Sequence, residues 1–171
     1  MLSRASMLFV FTLSTATFFG MAAMAADLPK EGTYEFNYAA FGTIKPTPVG
    51  KDLVLLAFDE NGLSVGNGLF DHMTWHCWGL ADITNGTIQH RGYCVATDPS
   101  GDQVASTIAS DDRYPQNAKK IRGILTLMSG TGKYAGISGG HKYVANGSEF
   151  RPATEGTYFQ YTTNQGSYKL P

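Results

Sequence analysis

Beyond residue 27, apolar and polar residues alternate with a period of two over much of the chain. Tyr34, Phe36 and Tyr38 are separated by Glu35 and Asn37, which predicts a strand with one buried face. Residues 52–59 contain a continuous apolar run that ends before Asn61-Gly62. This run predicts a second strand, and Asn-Gly predicts the turn that closes it.

The same kind of pattern predicts six further strands. They cover residues 70–84, 87–98, 102–110, 121–129, 141–146 and 155–163. Turn-forming residues separate them, and no capped apolar stripe at helical spacing is longer than about ten residues. About eight short strands joined by hairpins predict an all-β domain, a single antiparallel eight-stranded β-barrel, with a β-sandwich as the alternative.

Two stretches are too polar and too rich in proline for a core strand. Residues 44–50 contain Pro46 and Pro48, and residues 111–120 contain Pro115 with two aspartates and two lysines. Proline cannot donate to a strand ladder. Both stretches are therefore expected to be loops at the rim of the barrel, where contacts specific to this sequence would occur.

Asn85-Gly86 is the strongest hairpin signal, typical of a two-residue type I′ turn. With these residues as the loop, Cys77 lies directly opposite Cys94 in a non-hydrogen-bonded pair, with Cα atoms about 4.5 Å apart. The sequence therefore predicts a structural disulfide between Cys77 and Cys94. Free thiols, a redox pair and metal ligands are the alternatives.

The register of this hairpin assigns each side chain to a face. Trp75 and His90 fall on the same face as the cysteines, which is otherwise small or apolar and suits a barrel interior. Trp78 and Tyr93 fall on the opposite face, which predicts burial against a second layer or self-association as a homo-oligomer. Near the turn, Asp82 and Arg91 are diagonal neighbours on that outer face and could pair.

The first 26 residues differ from the rest. Arg4 precedes an uncharged apolar stretch at residues 7–19, and Ala23-Met24-Ala25 supplies a small-residue cleavage site. These features predict a signal peptide at residues 1–26 and a mature β-barrel domain at 27–171, exported to the periplasm or secreted. A membrane anchor is the alternative for the leader, and no membrane association is expected after its removal.

Composition removes several function classes. Formal net charge is −1 and charged residues make up 16% of the 171-residue chain, so no basic surface for nucleic acid is expected. The hydrophobic content of 43% is enough to fold a domain. Two cysteines cannot form a multi-bridge scaffold or a four-cysteine zinc site.

A glycine-punctuated run occurs at residues 129–140, Ser-Gly-Thr-Gly-Lys-Tyr-Ala-Gly-Ile-Ser-Gly-Gly. With the cysteine-containing segments 76–79 and 92–94 and the turn at 98–102, it resembles the allene oxide cyclase and dirigent-like barrels, in an exported bacterial branch. The resemblance implies an eight-stranded antiparallel barrel with an apolar cavity, often trimeric. It carries no catalytic residue over to this chain.

Reactive chemistry has few candidates. His72 and His76 are about 13 Å apart on a strand, too far to share an ion, so neither a metal nor another cofactor is expected. No nucleophile elbow occurs. His90, expected near Trp75, is a catalytic candidate that could move a proton. The alternative is a core histidine that is hydrogen-bonded to a neighbour such as Tyr34 or Tyr38.

Carboxylates offer a second possibility. Glu35, Glu149 and Glu155 could converge in three dimensions and act as a pair. The sequence alone does not bring them together.

Three functions follow. The first is an exported barrel that binds a small, largely apolar molecule against Trp75, His90, Tyr34, Phe36 and Tyr38. The second is a cyclase- or isomerase-type enzyme in which a fixed cavity folds the substrate and His90 or a carboxylate moves one proton. The third is a self-associating interaction protein with a packed lumen.

Overall fold

The computed structural model describes residues 28–146 and 156–171. These residues form nine strands and one short 3₁₀ turn, Gly132–Tyr134. In chain order the strands are β1 (Glu31–Val49), β2 (Leu53–Asn67), β3 (Thr74–Thr84), β4 (Thr87–Thr97), β5 (Gln103–Ser110), β6 (Tyr114–Pro115), β7 (Lys120–Gly130), β8 (Ser138–Asn146) and β9 (Thr157–Lys169). Within the described ranges, no helix has the length and apolar character needed to cross a membrane.

Eight of the strands close into a ring. The order around it is β1-β2-β3-β4-β5-β7-β8-β9, and β9 pairs back onto β1. Every pairing is antiparallel, and the β3–β4 hairpin closes what would otherwise be an open sheet. The short β6 lies outside the ring and pairs with the start of β4. The predicted eight-stranded antiparallel barrel is confirmed, and it has no open sandwich edge.

The hairpin at Asn85-Gly86 is present as predicted. Asn85 and Gly86 have φ angles of 51° and 74°, as a type I′ turn requires. Cys77 pairs with Cys94 in the ladder, their Cα atoms are 4.1 Å apart and their sulfur atoms 2.06 Å apart. The cysteine pair is thus compatible with a disulfide.

The turn predicted at Asn61-Gly62 is wrong. Both residues lie in the middle of β2, where Asn61 pairs with Phe41 of β1. Glycine is used at position 62 because a Cβ atom there would lie 2.4 Å from the ring of Tyr38. The residue that signals a turn in the sequence instead provides room for a neighbouring aromatic ring.

The loop predicted at residues 44–50 is also wrong, because β1 continues to Val49 and pairs with β2 throughout. The N–H of Ile44 points away from β2 and donates to Gly156 O at 2.8 Å. Pro46 and Pro48 share this orientation, since alternate residues point their N–H groups to the same side. Proline has no N–H group to donate, and at both positions the missing N–H would point to the side facing β9. The β1–β9 ladder has already ended at Thr43, so Pro46 and Pro48 lie at a sheet edge, where proline is tolerated.

Residues 111–119 form most of the second predicted loop, interrupted by β6. Within it, Arg113 reaches back across the hairpin, and its Nη2 atom lies 2.6 Å from Asp82 Oδ1. The partner of Asp82 is therefore Arg113 and not the predicted Arg91, because the loop brings a guanidinium directly onto the carboxylate. The ion pair fastens the loop to the outside of the barrel at one end.

The lumen is packed at the opposite end. Residues 68–73, of which 70–73 were predicted to begin a strand, form a connection that buries Leu69, Phe70 and Met73. Tyr134 and Ile137, from the connection after β7, complete the apolar filling. We call this the plugged end. The Tyr134 hydroxyl donates to Asp98 Oδ2 at 3.0 Å, which ties two connections of this end together.

Candidate functional site

A cavity of about 280 Å³ occupies the lumen between the plugged end and the end that carries the Asn85-Gly86 turn. Most of its wall is apolar, contributed by β1–β5 and β7. These apolar residues are Phe36, Ile44, Leu56, Phe58, Trp75, Ala81, Ile83, Ile88, Ile108, Ile121 and Leu125. The volume is close to the lower end of the range of small-molecule sites.

One side of the cavity is polar. Along β9 the inward-facing positions are Tyr158, Gln160, Thr162 and Asn164, which recur every second residue as the strand period requires. The neighbouring strands β8, β1 and β2 add further polar groups, so the polar residues form a continuous strip. The added members are His141, Tyr143, Tyr38 and Glu60. The cavity thus presents an apolar wall to one side of a guest and hydrogen-bonding groups to the other.

Glu60, on β2 at one edge of this strip, supplies its carboxylate. Its side chain is 3% exposed, and both carboxylate oxygens accept hydrogen bonds from phenols. Tyr38 donates to Oε1 at 3.1 Å and Tyr158 donates to Oε2 at 2.8 Å. Burial raises the pKa of Glu60 to about 6, while the two phenol hydrogen bonds act in the opposite direction.

Two glycines make this arrangement possible. A Cβ atom on Gly42 would lie 2.6 Å from the ring of Tyr158 and 2.8 Å from Glu60 Cβ, and one on Gly62 would meet the ring of Tyr38. The absence of a side chain at these two positions leaves room for both rings. Both hydroxyls consequently reach the same carboxylate.

His90 faces the cavity from β4. Its Nε2 atom lies 2.5 Å from the hydroxyl of Tyr143 on β8. Burial lowers the pKa of His90 to about 4, so the imidazole is neutral near pH 7. The ring of Tyr143 lies over Gly123 of the adjacent strand β7, where a Cβ atom would lie 2.1 Å from the Tyr143 hydroxyl.

The histidine that contacts Tyr34 is His141. The Tyr34 hydroxyl and His141 Nδ1 are 3.2 Å apart, whereas His90 bonds to Tyr143. The predicted pairing of His90 with Tyr34 or Tyr38 is wrong, because Tyr34 contacts His141 and Tyr38 donates to Glu60, whereas His90 contacts Tyr143. Burial lowers the pKa of His141 to about 3, opposed by a hydrogen bond with Asn164.

The other predicted site residues are divided between the cavity and the plug. Trp75, Phe36, Tyr38 and His90 line the cavity. Tyr34 does not. It is 2% exposed and packs edge-on against Phe70 with ring centroids 4.9 Å apart, because its position on β1 lies two residues nearer the plugged end.

The carboxylate that lines the cavity, Glu60, is not among the three named from the sequence. Glu35 points outward and accepts a hydrogen bond from Gln165, and Glu149 and Glu155 lie outside the described residues. Glu60 was missed because β2 was expected to end at Asn61-Gly62. Leu56 and Phe58 point inward, and in a strand every second residue points to the same side. Extending β2 by two residues would therefore have placed Glu60 on the buried face and identified it from the sequence.

The outer wall carries the two aromatic residues assigned to it. Trp78 is 38% exposed and Tyr93 is 50% exposed, and their rings lie 6.2 Å apart. They pair across the β3–β4 hairpin. Their outward orientation agrees with the register predicted from the Asn85-Gly86 turn.

Fold and cavity together define a closed antiparallel β-barrel with a small, one-sidedly polar chamber. Among residues 28–146 and 156–171, no three His, Cys, Asp or Glu side chains cluster as metal ligands would. Comparison with family models, curated proteins and solved structures finds no match to this chain.

Proposed function

We propose that this barrel binds a small, largely apolar molecule that carries at least one polar group. The observation that supports the proposal most directly is the cavity of about 280 Å³ with an apolar wall facing a polar strip. A lumen selected only for stability would be filled with side chains, as the plugged end is. An empty space beside the buried Glu60 lowers the stability of the fold, because a cavity loses packing contacts and leaves the carboxylate short of hydrogen-bond partners. A guest that occupies the space would offset this loss.

Filling the cavity tests this proposal. Ala81 lines the cavity and is buried, whereas Ala57 lies on the outer wall and is exposed. Native mass spectrometry of protein purified from its own host should show a retained small molecule in the wild type and in Ala57→Phe, and a loss of it in Ala81→Phe. Retention of the molecule by a folded Ala81→Phe protein would contradict the proposal.

We also propose that the protein is exported. The cysteine pair is compatible with an oxidising extracellular compartment, and residues 1–26 have the composition of a signal peptide. Amino-terminal sequencing of the protein from its host should begin after Ala25 or Ala26. An intact leader on the purified protein would contradict export by this route.

A cyclase- or isomerase-type enzyme is the second candidate, and Glu60 favours it. A carboxyl group with a pKa of about 6 in an apolar chamber is suited to accept and return a proton near neutral pH. His90 would then orient the substrate through Tyr143, because its own pKa is too low for it to be charged. A Glu60→Gln variant that retains the bound molecule but no longer converts it would establish this function.

Self-association through Trp78 and Tyr93 is the remaining proposal. Two adjacent, partly exposed aromatic rings suit the centre of a subunit interface, and the allene oxide cyclase-like barrels that the sequence resembles are often trimers. Tyr93→Ser should lower the mass measured by analytical ultracentrifugation. Phe159→Ser, which removes a different exposed ring on β9, is the control, and an unchanged mass for Tyr93→Ser would contradict the proposal.

A further inference from the structure

The charge inside the cavity narrows the chemistry of the guest. Glu60 is the carboxylate of the lining, and none of the lysines and arginines in residues 28–146 and 156–171 lines the cavity. The two histidines of the lining have pKa values lowered by burial to about 4 and about 3. Near pH 7 the described lining therefore carries one negative charge and no positive charge.

The hydrogen bonds to Glu60 compensate only part of the free energy lost when its carboxylate is removed from water. Tyr38 and Tyr158 each donate one hydrogen bond to Glu60, but a carboxylate has about four acceptor positions. Phenols provide dipoles and no counter-charge. A buried carboxylate without a cation is one of the more costly arrangements in a protein interior.

We infer, resting on the proposed function, that the guest is a small apolar amine whose ammonium group pairs with Glu60. The ammonium supplies the positive charge that the described lining lacks, and it donates to the carboxylate acceptor positions that the phenols leave open. The aromatic residues around the carboxylate suit this cation, because the face of an aromatic ring attracts a positive charge. Tyr38, which bonds the carboxylate, and Trp75, 5.9 Å from it between ring centroids, both line the cavity, so aromatic rings border the space beside Glu60.

A divalent metal ion would also neutralise Glu60, but it needs several charged or oxygen-rich ligands. Asp59, the neighbouring acid, is exposed and faces outward, where its Oδ2 atom is 3.0 Å from His76 Nε2. It raises the pKa of Glu60 through charge repulsion and does not reach the cavity. The apolar wall opposite the strip suits the hydrocarbon body of an amine.

Matched pairs of probes test the inference. Each pair has the same apolar body with either an amine or an alcohol, as in 2-phenylethylamine and 2-phenylethanol, with cyclohexyl and linear alkyl pairs beside them. The chain has two tryptophans, Trp75 in the cavity wall and Trp78 outside. Each probe is titrated into the protein while NMR follows the two indole N–H signals. A shift of the Trp75 signal reports binding in the cavity, and the Trp78 signal is the internal control.

In at least one pair, the amine should bind about tenfold more tightly than its alcohol at pH 7.5 and should shift the Trp75 signal alone. Glu60→Gln should remove the preference, and Asp59→Asn should retain it. The preference should also weaken at pH 5, where Glu60 becomes protonated. The Glu60→Gln protein keeps the phenols Tyr38 and Tyr158 that bond the carboxylate, and also Tyr143 and the outward-facing Asp59, whose charges interact with Glu60.

Alcohols that bind in the cavity as tightly as the amines would overturn the inference and leave the proposed function standing. A preference that survives Glu60→Gln would overturn it as well, since the charge would then act from elsewhere. Amines that shift only Trp78, or no amine shifting Trp75 at millimolar concentration, would also exclude an amine guest. If no amine binds in the cavity and no host-derived molecule is retained by the purified wild type, the proposed binding function is contradicted as well.

Discussion

The hydroxyl of Tyr158 donates a hydrogen bond of 2.8 Å to Glu60 Oε2, although the two residues are 98 positions apart in the chain. One lies on β9 and the other on β2, and β1 runs between them. The contact exists because Gly42 of β1 leaves the ring of Tyr158 free to cross that strand. Closure of the barrel thus builds the polar centre of the cavity from three strands.

The raised pKa of Glu60 predicts a pH-dependent stability difference. Its folded pKa of about 6 lies above the ordinary value of 4.5, so its contribution is full below pH 4.5 and is lost as the pH rises through 6. Relative to Glu60→Gln, the wild type should therefore lose about 2 kcal/mol of unfolding free energy between pH 4.5 and 7.5. Urea unfolding of both proteins at the two pH values measures this.

Glu35→Gln, which changes an exposed carboxylate on the outer wall, is the matched control for that experiment. Its difference from the wild type should be similar at both pH values. An equal wild-type-to-Glu60→Gln difference at pH 4.5 and 7.5 would show that Glu60 titrates as a solvated carboxyl group.

Gly42→Ala should destabilise the protein by about 1–3 kcal/mol, because the new methyl group overlaps the ring of Tyr158. In a Tyr158→Ala background the same substitution should cost less, since the overlapping ring is gone and the close contact with Glu60 Cβ remains. A double-mutant cycle of unfolding free energies measures the coupling. Equal costs in the two backgrounds would show that the ring does not occupy the space above Gly42.

The buried His141 predicts loss of stability in acid. Its pKa is lowered from 6.5 to about 3, so its contribution is present above pH 6.5 and is lost as the pH falls toward 3. His90 acts in the same direction, and Glu60 acts in the opposite one between pH 6 and 4.5. Replacing His141 with Gln should reduce the slope of stability against pH by about 1.4 kcal/mol per pH unit near pH 5.

Unfolding midpoints in urea at half-unit pH steps measure that slope. His76→Gln is the control, because His76 lies on the outer wall and is half-exposed. A slope unchanged by His141→Gln would indicate that His141 is protonated in the folded protein at pH 5.

The hairpin turn predicts that substitutions at two neighbouring residues have different effects on stability. Gly86→Ala should cost about 1 kcal/mol, because φ is 74° at a position with nothing near enough to clash. Asn85→Gly should be close to neutral, since glycine adopts the observed φ of 51° readily. Thermal unfolding distinguishes them, and a neutral Gly86→Ala would contradict the type I′ geometry.

Removal of the predicted disulfide between Cys77 and Cys94 should lower stability moderately. A cross-link between positions 17 residues apart is worth about 3 kcal/mol in the chain-entropy model. The Asn85-Gly86 hairpin already holds the strands together, so Cys77→Ala with Cys94→Ala should cost less than this. Chemical unfolding with and without reductant measures it, and insensitivity of the wild type to reductant would show that the thiols are not linked.

The sequence by itself determined the parts of this protein that depend on local periodicity. Alternation of apolar residues predicted the strands, and Asn85-Gly86 fixed a register that placed Cys77 opposite Cys94 and separated Trp75 from Trp78. These features need only the two-residue repeat of a strand and the geometry of one turn. The number of strands and the short connections between them favoured a barrel, with a β-sandwich as the alternative.

Only the tertiary structure decided the composition of the cavity. Whether Gly62 ends a strand or makes room for a ring depends on Tyr38, and whether Pro46 and Pro48 break a strand depends on where the β1–β9 ladder ends. Glu60, Tyr158 and the exchange of His90 for His141 as the partner of Tyr34 arise from pairings across the closed ring. Such contacts join residues far apart in the chain, and their geometry is set by closure of the barrel, which no local pattern records.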